Sequence, residues 1–192
     1  METDSDTDAI IRTTRCWIER VVVALNLCPF ARKPIDNGQV RYVVSVAHEP
    51  AQLREDLQRE LALLRNTDAD TIQTTILIHP HVLNDFLDYN DFLGVVDDCI
   101  ENEGYEGEFQ VASFHPDYQF AGTQVDDAEN YTNRSPYPML HLLREEGLAQ
   151  AIAGYARPDK IPERNIRTLE KIGAAKMREI LESCMKDNEE NK

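Results

Sequence analysis

FQVASFHPDYQFAGT, residues 109–123, opens as a strand and stops at a histidine followed by a proline. Apart from Gln110, Phe109 to Phe114 are aromatic, branched or small, the composition of a half-buried extended segment. Pro116 has no N–H to give a sheet, so the strand ends at His115. The same punctuation occurs twice upstream: VRYVVSVA (residues 40–47) runs into His48-Glu49-Pro50, and TTILI (residues 74–78) into His79-Pro80-His81. The direction of the 109–114 strand decides the fold. If it runs with the other two, all three histidine exits share one edge of the sheet, where ligands of α/β proteins bind.

Helical patterns separate these strands. Leu53, Leu57, Leu61 and Leu64 form one stripe behind Pro50, which suits a first helical turn. Phe86, Leu87, Phe92, Val95, Val96 and Cys99 mark a second helical region over residues 82–103, ended by Gly104 and Gly107. An earlier helix runs from Ile10 to about Leu25, capped by Thr7 or Asp8 and stopped by Asn26 and Pro29. Strands alternating with helices predict an α/β fold: a small, mainly parallel sheet of βαβ units flanked by helices. The competing expectation is an α+β sheet whose third strand is antiparallel. Beyond Arg134 the pattern is helical, over residues 138–145, 147–155, 162–172 and 174–184, giving a helical C-terminal third. The expected organisation is a single domain over 1–192, with tails at 1–7 and 186–192 too short and polar to order themselves.

Composition removes several functions. Twenty basic against 35 acidic residues give a formal net charge of −15, a field that repels nucleic-acid phosphates and anionic membranes. Cys16, Cys28, Cys99 and Cys184 form no CxxC pair, so no zinc knuckle or dithiol motif is legible. METDSDTD lacks the order of a signal peptide, and no apolar run approaches a membrane span, so a cytoplasmic location is expected. Phosphate-binding glycine motifs and a GxSxG elbow are missing. The sequence is silent on self-association.

The richest segment is FHPDYQFAGTQVDDAENYTNRSPYP, which follows the third strand without periodicity. Loops that long are usually binding or active-site loops. A divalent metal such as zinc could be held by His79 and His115 with Asp126 or Asp127; against this, His-Pro pairs simply mark strand exits. Tyr118 or Asp127 would move protons, and Gln119, Asn130, Asn133 and Arg134 would bind substrate. Arg134 either clamps an anion or forms an internal ion pair with Asp126 or Asp127. Cys28, placed as an N-cap by Pro29 near Arg32 and Lys33, is a candidate thiolate nucleophile, or else a packing cysteine.

NLCPFA (Asn26–Ala31), LIHPHVLNDFLDYNDFL (Leu77–Leu93), QVASFHPDYQFAGT (Gln110–Thr123) and DDAENYTNRSPYPMLHLLRE (Asp126–Glu145) together resemble a bacterial family, domain of unknown function family 1415. The resemblance covers nearly the whole chain and implies no reaction, cofactor or catalytic residue. Three functions are therefore expected in turn: metal-assisted hydrolysis of a small anionic substrate, a non-catalytic module binding a metabolite or protein, and a thiol enzyme using Cys28.

Overall fold

The computed structural model describes residues 4–186. Helix α1 (Asp4–Trp17) passes directly into a π-helical segment (Ile18–Val23), and the short helix α2 (Arg32–Asp36) precedes strand β1 (Val40–Val44). Helix α3 (Pro50–Arg65) connects β1 to β2 (Thr74–Ile78), and α4 (Phe86–Asn102) leads to β3 (Phe109–Phe114). After the loop comes β4 (Met139–Arg144), then α5 (Glu145–Ala153), α6 (Ile161–Ile172) and α7 (Ala174–Lys186). The expected tails are thus partly helical, since Asp4–Thr7 lie in α1 and Lys186 ends α7; residues 1–3 and 187–192 lie outside the described residues.

Local chemistry accounts for the boundaries. Pro50 begins α3, and Glu49 and Gln52 cap its start reciprocally. The Asp85 side chain accepts the N–H groups of Leu87 and Asp88, so α4 starts at Phe86 rather than at Val82.

The sheet has four strands in the order β1-β2-β4-β3. β1 and β2 are parallel, whereas β4 runs antiparallel to both β2 and β3. This corrects the mainly parallel sheet: MLHLLR, residues 139–144, is a central strand and not the expected helix. Its leucines favour helix intrinsically, but a site hydrogen-bonded on both sides overrides that weak preference. Because β4 opposes both neighbours, β3 still points the same way as β1 and β2.

Helices cover both faces. Alternation sends Leu77, Leu140 and Leu142 to one face, against Leu53, Leu57, Leu61 and Leu64 of α3 and Tyr89, Phe92 and Val96 of α4. Ile76, Ile78 and Met139 face the other way, against Trp17, Ile18, Leu169 and Met177. Every residue of β2 is buried, which fits a strand covered from both sides. No described helix is long and apolar enough to cross a membrane.

Candidate functional site

With three strands pointing one way, His79 after β2 and His115 after β3 reach the same edge. Tyr89 of α4 stands between them, its ring centroid 5.7 Å from that of His79 and 5.1 Å from that of His115. Both imidazoles are sealed from solvent. His79 Nδ1–H donates to the Val82 carbonyl at 3.0 Å, and His115 Nε2–H donates to the Leu83 carbonyl at 3.2 Å. His115 Nδ1 accepts the Asp117 N–H at 3.0 Å. Two successive carbonyls therefore face two different rings, and Leu83 between them takes the left-handed conformation, with φ 58°. Such strain in a non-glycine residue persists only where its surroundings fix it. Burial lowers both histidines from their ordinary value, His79 to about 4, so each ring is neutral at physiological pH.

These bonds do not suit a metal. Both ring nitrogens of His115 are committed to the chain, and Asp126 is exposed, 3.5 Å from Arg178 of α7. Among the described residues no three His, Cys, Asp or Glu side chains gather as a ligand set. The expected trio of His79, His115 and Asp126 is not brought together. His48 and His81 form a separate, exposed stacked pair with centroids 5.1 Å apart.

The loop from His115 to Arg134 holds its own shape. Asn130, fully buried, accepts the Phe120 N–H and the Thr123 hydroxyl through Oδ1 and donates to the Gln124 carbonyl through Nδ2. Gln119 donates to the Thr123 carbonyl, and Asn133 to the Ser113 carbonyl. Asp127 accepts the Gln124 N–H at 2.7 Å, which employs it as a turn-former. Arg134 is neither an exposed anion clamp nor the partner of Asp126 or Asp127. Its guanidinium donates to the carbonyls of Tyr118 and Val125, at 3.1 and 2.7 Å, and lies over the Tyr131 ring. The polar residues expected to bind substrate thus bond to the loop itself or, for Asn133, to the end of β3.

The loop presents outward a row of rings and one aliphatic side chain beside the exposed Asp117, Gln124 and Asp126. Tyr118 packs on Phe86 of α4 at 5.2 Å between centroids and on Phe120 at 5.0 Å, and all three rings are half-buried. The Tyr118 hydroxyl is 3.4 Å from Ser113 Oγ. Leu87, next to Phe86, is 70% exposed, and Val125, tied to Tyr118 through Arg134, is 63% exposed. The charge here is one-sided. Residues 66–133 contain fifteen Asp and Glu and no Lys or Arg, so this segment carries the entire formal charge of −15 and the rest of the chain balances to zero. Phe86 and Leu87 read in the sequence as core positions of the helix, yet Phe86 is half-buried and Leu87 exposed; Phe120 and Val125 carried no sequence signal of their own.

Cys28 lies outside this region, in the turn between the π-helical segment and α2. Ala31 is the N-cap of α2, so Cys28 does not cap it. Burial raises its thiol above the ordinary value, with the N–H groups of Phe30 and Ala31 and the charge of Arg164 pulling weakly the other way. The thiol stays protonated at neutral pH, which fits the packing cysteine and disfavours the candidate thiolate.

No curated protein matches the chain, and no solved structure matches it. A family model described as a protein of unknown function, DUF1415, matches residues 9–179. Since that match spans most of the 192 residues, the chain belongs to this family.

Proposed function

We propose that this chain is a recognition module whose 115–134 loop, with the start of α4, docks a basic segment of a protein partner. The observation that carries the reading is the row Phe86–Tyr118–Phe120, half-exposed on a self-supported loop in the segment that holds all the net negative charge. Aromatic faces attract Arg and Lys at about 0.5–2 kcal/mol each, and surrounding carboxylates speed the encounter with a cationic partner. Asp85, Asp88 and Asp117 provide that field, whereas Asp126 faces Arg178. A loop ordered before binding loses little entropy on association.

An anionic substrate would meet repulsion on this surface; His79, His115 and Asp127 bond to the backbone, and the Tyr118 ring packs on Phe86 and Phe120. Metal-assisted hydrolysis and thiol chemistry are therefore the weaker readings. The test is calorimetry with a short synthetic peptide alternating arginine and leucine. Wild type should bind it at ~0.05 M salt and much more weakly at ~0.5 M. Leu87→Ser and Val125→Ser leave the charge untouched and should each weaken binding about fivefold, the worth of ~1 kcal/mol of apolar contact. Absence of binding by the wild type at low salt, or unchanged affinity in both variants, contradicts the proposal.

A further inference from the structure

The opposite charge collects at one place remote in sequence from the acidic segment. Arg157, Lys160, Arg164 and Arg167, with the single carboxylate of Glu163, line an open cleft of about 420 Å³ at the head of α6. The volume lies within the range of small-molecule sites, ~300–1,000 Å³. Lys160, Arg164 and Arg167 are spaced four and three residues apart and so share one face of the helix and its lead-in turn.

Internal pairing does not cancel this charge. Glu163 is divided between Lys160, at 3.2 Å, and Arg167. Asp159, in the same turn, does not line the cleft. Arg164 is held by neutral acceptors only: Nη1 donates to the Tyr155 hydroxyl at 2.7 Å, and Nη2 to the Asn26 carbonyl at 2.5 Å and to Asn165 Oδ1 at 3.3 Å. Tyr155 is itself braced edge-on by Phe30, with centroids 5.5 Å apart. Arg164 is thus a fixed guanidinium whose charge no described carboxylate neutralises. Arg157, in the left-handed conformation at φ 67°, has no carboxylate partner among the described residues either.

We infer that this cleft binds the phosphate group of a small molecule. A phosphate offers three strong acceptor oxygens and up to two negative charges, enough to engage several separate cations at once. A carboxylate, with two oxygens and one charge, uses fewer of them. Guanidinium groups at Arg157 and Arg167 match phosphate geometry, Arg164 keeps Nε–H and one Nη1–H beyond its bonds to Tyr155, Asn26 and Asn165, and Lys160 adds a point charge. Arg164, oriented beforehand by Tyr155 and Asn26, fixes where the phosphate sits. The site takes an anion where the acidic segment takes a cation, so the two surfaces do not compete for one ligand.

The probes are pyrophosphate and inorganic phosphate, titrated into the full chain by calorimetry, with potassium chloride at matched ionic strength as control. Wild type should bind pyrophosphate and gain melting temperature from it, whereas chloride should do neither. Arg157→Gln, Lys160→Gln and Arg167→Gln alter exposed side chains and should each weaken pyrophosphate about tenfold while leaving the ligand-free melting temperature in place. Arg157→Lys, which retains the charge, should recover part of the loss. The proposal is overturned if pyrophosphate produces no more effect than chloride, or if the three variants bind as wild type does. Binding to phosphatidylserine vesicles without binding to pyrophosphate also overturns it, since the cleft would then be a membrane contact.

Discussion

His79 is neutral because of its setting: Nδ1–H faces the Val82 carbonyl, and Nε2 is buried without a hydrogen-bond partner among the described residues. His141 on β4 is pushed down to about 4 as well, its Nε2–H donating to Thr74 Oγ1, whose own proton goes to the Leu142 carbonyl. A histidine whose folded pKa lies below its unfolded value of about 6.5 stabilises the fold above that value, and this contribution is lost as pH falls. Chemical denaturation should therefore show stability declining from about pH 6.5 to pH 4, with up to ~3 kcal/mol of the loss due to His79. His79→Asn keeps a donor for Val82 and should flatten that slope; an unchanged slope would exclude His79 as its source. At this scale the sequence marked the positions of the two histidines but not the bonds they make. The His-Pro exits marked His79 and His115, but their partners are backbone carbonyls at residues 82 and 83, whose direction depends on a left-handed Leu83 that no local signal announces.

Among the elements, the 115–134 loop behaves as a piece of architecture. Asn130→Ala removes three hydrogen bonds at a fully buried position and leaves the Phe120 N–H without a partner, while the Gln124 carbonyl keeps only the Asp127 N–H. The expected cost is about 3 kcal/mol, and amide exchange should accelerate across the loop while the β2 amides keep their protection. Equal protection of loop and strand in the variant would mean that Asn130 does not organise the segment. β2, β3 and the stripe of α3 were legible because burial and periodicity agree there. β4 was not, because MLHLLR has the composition of a helix and becomes a strand through the unfilled edges of β2 and β3, which are distant in sequence. The loop was recognisable as important from its length and polarity. Its hydrogen-bond partners were not, since a polar side chain looks the same whether it will face a ligand or its own backbone.

For the molecule as a whole, charge is divided by sequence position. The stretch without any Lys or Arg from residue 66 to 133 was visible in the composition, and it biases that region toward cationic partners. The basic cleft was harder to see, because its cations are scattered among acidic residues and become a site only when the turn at Arg157 meets the head of α6. Surfaces of opposite sign on one chain fit a protein that answers to two ligands. Two-dimensional NMR of the chain titrated with the arginine–leucine peptide tests docking at the aromatic row. Recognition by the aromatic row predicts amide shifts concentrated in residues 83–88 and 115–126, saturating together with one affinity. Shifts spread over the acidic face of α4, at Asp91, Asp97, Asp98 and Glu101, with none at Leu87, Tyr118 or Phe120, would contradict it.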